Sequence, residues 1–143
     1  MSLTREQLLI EYKKCMNSTP YALRTYLQTF DNTVSKYVPL ELFQDQVLLI
    51  EDLDEYLYHV DRMLMACKNA GLFNNIQALL VGSMIDMNDN AVPFGKTVKE
   101  MILDLLGEAN FPVVFDVPMG HDKQNYAVKL GAVCNFDNST LTQ

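Results

Sequence analysis

Apolar positions follow two different rhythms along this chain, and the change falls near residue 45. Before it the spacing is helical. Residues 4–16 bring Leu8, Leu9, Tyr12, Cys15 and Met16 onto one face, behind a capping-box pattern at Thr4 and Gln7. Residues 19–30 predict a second helix, with Thr19 as N-cap and Pro20 at the first helical position. Asp31-Asn32 marks its stop, Pro39 the connection onward, and no glycine occurs before Gly71. Residues 1–45 are therefore expected to form a helical hairpin, an N-terminal extension packed on an α/β domain of residues 46–143.

From Gln46 onward, short apolar runs alternate with amphipathic stretches. Val47-Leu48-Leu49-Ile50 is a continuous apolar run of the kind buried on both faces of a sheet. A helix over about 54–69 follows, with Leu57, Val60, Met63, Leu64 and Cys67 on one side and Gly71 past its end. Ala78-Leu79-Leu80-Val81 predicts the next strand. Thr97 and Glu100 form a capping box that opens a helix to about Leu106, with Val98, Met101, Ile102, Leu105 and Leu106 inward and Gly107 as its stop. Pro112 to Val117 predicts a third strand, ending in the turn Pro118-Met119-Gly120. Strand, helix, strand, helix, strand implies right-handed crossovers and a mostly parallel sheet with flanking helices. The tail, Tyr126 to Phe136, holds two strand-like runs broken at Gly131, expected to form antiparallel edge strands.

Length and composition narrow the functional classes. The 143 residues are 49% hydrophobic and 20% charged, the make-up of one ordinary globular domain. A net charge of −7 and a pI near 4.6 argue against partnership with nucleic acid or an anionic membrane surface. No apolar run approaches the roughly 20 residues that cross a bilayer, and no signal-peptide pattern opens the chain. Cys15, Cys67 and Cys134 are odd in number and scattered, which suits reduced thiols in the cytoplasm. Cys67 on an apolar helix face and Cys134 in a strand-like run fit a core better than a nucleophile. Two histidines and no paired cysteines make a structural zinc site a poor expectation.

In an open α/β sheet, reactive groups collect beyond the carboxyl ends of the parallel strands. Three such ends are predicted here. Glu51-Asp52 follows the first strand, Ser83 the second, and His121 the turn after the third. A carboxylate beside an imidazole suits general-base chemistry, because the acid fixes the tautomer and stabilises the protonated ring. Glu51 equally fits a helix-start charge favoured by the helix dipole, and for Asp52, Asp54 and Glu55 that is the better explanation. His121, behind a glycine that permits close approach, is the more suggestive residue. His59 sits in a predicted helix beside Tyr58 and reads as a surface or packing residue. Ser83 in Val81-Gly82-Ser83-Met84 lacks the second glycine of a nucleophile elbow.

The stretch Val47-Leu48-Leu49-Ile50-Glu51-Asp52-Leu53, continuing through Tyr58, Asp61, Arg62, Met63 and Leu64, resembles the strand–helix signature of the LD-carboxypeptidases. These are serine peptidases related to the microcin-resistance peptidases. Gly71-Leu72, Leu79-Leu80-Val81-Gly82, Phe111-Pro112-Val113 and Gly120-His121 follow in the family's order. The resemblance covers about residues 46–136, the family's C-terminal domain. It implies a Ser-His-Glu triad in which Glu51 is the acid and His121 the base, the serine lying on an elbow in the N-terminal domain. It also implies removal of a terminal D-alanine from murein peptides in cytoplasmic wall recycling, without metal or organic cofactor, by proteins that commonly form homodimers.

Neither the serine domain nor the glycine-rich segment that precedes the Glu51 strand in the family is recognisable here. Three readings follow. The chain contributes Glu51 and His121 to a hydrolase whose serine comes from another segment or chain, and is inactive alone. Or it is a non-catalytic interaction module that keeps the fold, with residues 4–45 covering the surface that faces the serine domain. Or it is a self-sufficient hydrolase using Ser83.

Overall fold

The computed structural model describes residues 45–137 and 140–142; the hairpin expected over residues 1–45 lies, apart from Asp45, outside the described residues. A three-stranded parallel sheet of order β1-β2-β3 forms the centre, built from β1 (Val47–Leu53), β2 (Ala78–Ile85) and β3 (Val113–Val114). Helix α1 (Leu57–Asn69) connects the first two strands, and α2 (Val98–Leu106) the second and third. Leu48, Ile50, Leu79 and Val81 share one sheet face and pack with Val60, Leu64 and Cys67 of α1 and with Met101, Ile102 and Leu105 of α2. The amphipathic stripes read from the sequence are the faces that close this core. Lys68 Nζ donates to the carbonyl of Leu105, so a cation meets the C-terminal end of α2.

Both long strands run past their apolar runs, which end at Ile50 and Val81. Glu51 and Ser83 therefore lie within strands rather than beyond them. Pairing continues past the strand ends: Asp54 N–H donates to Ile85 O (3.0 Å), Asn88 N–H to Glu55 O (2.8 Å) and Leu57 N–H to Asn88 O (2.9 Å). Asp54 (φ +57°) and Asp86 (φ +53°) bend the two chains in left-handed conformations that Asp tolerates better than most residues. Consequently α1 starts at Leu57 rather than at residue 54, and its first turn holds no acidic residue. The helix-start explanation of Asp52 and Asp54 is corrected accordingly, whereas Glu55 lies directly before the N-cap Tyr56 and accepts from its N–H at 2.8 Å. Asp52 is a buried strand residue whose Oδ1 accepts from Leu53 N–H, and Asp54 accepts from Asn88 Nδ2.

Helix α2 has the predicted capping box. Thr97 accepts from Glu100 N–H, and Glu100 accepts from Thr97 N–H at 2.8 Å. Gly107 ends it with φ +58°. Strand β3 is shorter than residues 112–117 because Asp116 turns to φ +58°. The chain nevertheless stays alongside β2: Leu79 N–H donates to Pro112 O, Val117 N–H to Val81 O, and Ser83 N–H to Met119 O, each at 3.0 Å.

The expected edge strands are corrected. Antiparallel β4 (Asn135–Asp137) and β5 (Thr140–Thr142) make a separate two-stranded sheet and do not extend the parallel one. Residues 126–134 form no strand; Ala127, Ala132 and Val133 face solvent, and the alternating Val128 and Leu130 are only half-buried. Cys134 accordingly lies half-exposed outside any strand, whereas Cys67 is buried as expected. No helix among the described residues is long and apolar enough to cross a membrane.

Candidate active site

At the carboxyl end of the sheet β1 and β2 fall out of step. Ile50 pairs with Val81, but Asp52 pairs with Met84. Gly82 and Ser83 therefore stand together opposite Glu51, a bulge of one extra residue. The segment after β3 runs over this bulge, and it can do so because Gly82 has no side chain. A Cβ there would lie 2.7 Å from the carbonyl oxygen of Met119 and 3.2 Å from Glu51 Cβ.

Met119 is buried and anchors the turn that follows. Gly120 then takes φ +107° in a space with no room for a methyl, since its Cβ would lie 2.4 Å from Ser83 Oγ and 2.8 Å from Glu51 Oε2. This contact delivers His121 to Glu51: Nδ1 lies 2.9 Å from Oε2. An ionised carboxylate only accepts, so Nδ1 carries the proton and donates it, leaving the Nε2 lone pair available. The side chains are 34% exposed for His121 and 20% for Glu51, so the pair sits at the rim, open on the imidazole side.

Ser83 lies beside the pair. Its Oγ–H donates to Met119 O (3.1 Å), and its oxygen accepts from His121 N–H (3.0 Å). Both bonds go to main chain, unlike those of an activated nucleophile, which would engage the imidazole. From the other side Asn125 Nδ2 donates to Gly120 O (2.6 Å) and Tyr126 N–H to Pro118 O (2.9 Å). The sequence reading missed Asn125; its position four residues after a Gly-His turn was the available signal.

The second histidine belongs elsewhere. His59 Nδ1 lies 2.7 Å from Glu55 Oε1, and its ring lies tilted against that of Tyr58 with centroids 4.1 Å apart. Beneath the sheet, Leu48, Ile50, Asp52, Val60, Leu64 and Met84 are among the residues around an apolar cavity of about 40 Å³. Burial pushes the Cys67 thiol on its wall up to about 12, which keeps it protonated and unreactive. Among the described residues, no group of three or more His, Cys, Asp or Glu side chains is arranged to hold a metal ion.

A parallel sheet with an acid–histidine pair at its carboxyl edge is an arrangement used by α/β hydrolytic enzymes, and comparison with known proteins specifies the family. The LD-carboxypeptidase C-terminal domain family matches residues 23–136, and the chain belongs to it. The match crosses the boundary expected at residue 45. The carboxypeptidase-type protein slr1534 of Synechocystis sp. is 30% identical over 100 residues, which cover 70% of this chain and 33% of that protein. The Bacillus subtilis protein named as a probable murein peptide carboxypeptidase is 28% identical over 101 residues, 68% of this chain and 30% of its own length. Among solved structures, the muramoyltetrapeptide carboxypeptidase of Oxalobacter formigenes superposes with a TM-score of 0.55 at 27% identity, covering 71% of this chain and 34% of that one. The chain thus spans about a third of the length of the curated relatives it matches.

Proposed function

We propose that this chain supplies the acid and the base of a Ser-His-Glu hydrolase that removes a terminal D-amino acid from murein peptides. The observation that carries the reading is the 2.9 Å contact between Glu51 Oε2 and His121 Nδ1 at the rim of the sheet. Membership of the family supports the reaction class, and the names of the Bacillus and Oxalobacter relatives support a murein peptide as substrate.

In this mechanism a serine hydroxyl from another segment or chain gives its proton to His121 Nε2 as its oxygen attacks the scissile carbonyl. Glu51 stabilises the imidazolium that results. Collapse of the tetrahedral intermediate breaks the C–N bond, and His121 returns the proton to the departing D-alanine nitrogen. Water, deprotonated by the same imidazole, then releases the acyl group and restores the serine. The chain without a serine partner is expected to be inactive, the loss being on the order of 10⁴-fold or more. In this reading the substrate is met in the cytoplasm, the complete unit is a homodimer or a complex with a serine-bearing chain, and no cofactor takes part.

The test measures D-alanine release from murein tetrapeptide. The chain alone, the part of the Bacillus relative outside the matched 30% alone, and a fusion of the two are compared. Release by the fusion, abolished by His121→Ala, is expected. A folded fusion that releases nothing overturns the proposal in favour of a non-catalytic module, and release by this chain alone overturns it in favour of a self-sufficient enzyme.

A further inference from the structure

We infer that Ser83 is a positioning residue for His121: its hydroxyl holds the main chain of the histidine turn so that the imidazole stays against Glu51. The inference rests on the triad reading and adds to it a residue outside the triad. Three observations converge on Ser83. The bulge places Gly82 and Ser83 together opposite Glu51, so the serine faces the turn instead of continuing the core-facing row of Leu79 and Val81. The hydroxyl bridges two points of that turn, donating to Met119 O at 3.1 Å and accepting from His121 N–H at 3.0 Å. Gly120, between those points, packs so closely that a methyl would fall within 2.4 Å of Ser83 Oγ.

His121 is exposed and makes no strand bond of its own. The position of its Cα therefore depends on what grips the turn. The Ser83 main chain grips Met119, and Asn125 grips the Gly120 carbonyl, but Ser83 Oγ is the group that holds the amide of His121 itself. Releasing that amide lets the imidazole move relative to Glu51, and a displacement of about 1 Å at such a pair costs on the order of 100-fold in rate. A nucleophilic serine would instead present its hydroxyl to Nε2.

The NMR arm of the test uses the full chain and needs no partner. Amide exchange and the ¹⁵N shifts of the imidazole are measured by NMR for wild type, Ser83→Ala and Ser83→Thr. In wild type the His121 amide is expected to exchange about tenfold slower than an exposed amide, with the ring held as the Nδ1–H tautomer. Ser83→Ala should remove that protection and mix the tautomers, and Ser83→Thr should restore both. In the active fusion, Ser83→Ala should lower kcat roughly 100-fold with KM little changed. An unprotected His121 amide in wild type overturns the inference even if Ser83→Ala fails to fold. So does an unchanged tautomer in a folded Ser83→Ala chain, or modification of Ser83 by a fluorophosphonate. Since the NMR arm is independent of turnover, an inactive fusion with a displaced imidazole would sink the triad reading and leave the positioning role standing.

Discussion

Glu51 and Gly120 constrain each other: the carboxylate occupies the space that any larger residue at position 120 would need. Gly120→Ala must therefore push against Glu51 Oε2 and Ser83 Oγ while also adopting a strained φ. A stability loss of about 1–3 kcal/mol in urea denaturation is expected, together with loss of the Glu51–His121 contact. Glu51→Gln keeps the shape but can turn an amide N–H toward Nδ1, favouring the wrong tautomer. In the active fusion kcat should fall by roughly 10⁴ at similar KM, as read by D-alanine release. Cys67 offers a pH-dependent test. Its folded pKa is raised from 9.0 to about 12, so the native state holds its proton more tightly than the unfolded chain. That contribution to stability is complete below pH 9 and is lost as pH rises toward 12. Native chain should leave Cys67 unmodified by a thiol reagent at pH 8, and denaturation midpoints should fall above pH 9 by more than in Cys67→Ala.

Among the elements, α2 is the one whose ends were most legible, because Thr97, Glu100 and Gly107 spell its limits in local chemistry. Thr97→Ala should cost about 1 kcal/mol in thermal or urea unfolding. Glu100 is held below the ordinary carboxylate value by hydrogen bonds from the Thr97 backbone and side chain. Its contribution is therefore present above the ordinary value of 4.5 and is lost as pH falls through the lower folded value. Because the group is exposed, salt should weaken this dependence. The strands were half legible. Their apolar runs are visible, but Glu51-Asp52 and Gly82-Ser83 interrupt the pattern just where the strands continue. Nothing local reveals that these polar residues still pair. The helix-start explanation of Asp52 failed for the same reason, since a buried acid within a strand follows from its neighbours across the sheet.

Across the described residues, one core joins α1 and α2 to the sheet, and Ile102, only 1% exposed, lies within it. Ile102→Ala should destabilise by about 2–5 kcal/mol in a single cooperative transition that circular dichroism and near-ultraviolet signals follow together. The parallel α/β order and the juxtaposition of positions 51 and 121 could be anticipated, because topology gathers strand ends on one edge. The behaviour of the tail could not. Residues 126–134 alternate like a strand, yet whether a strand forms depends on a partner edge that local sequence does not encode. The role suggested for Ser83 was equally invisible, since a hydroxyl that binds main chain distant in sequence leaves no motif.

The extra residue in β2 has a consequence for how this site can vary. Up to Val81 β1 and β2 keep time with each other, and from Met84 they keep time again, one count apart. Remove a single position at 82 or 83 and the count is restored, but the edge loses either the glycine over which the Met119 carbonyl passes or the hydroxyl that holds the His121 amide. What distinguishes this edge is thus written in the length of a strand as much as in its chemistry, and comparisons between such proteins that tolerate a gap there will align the letters while losing the site.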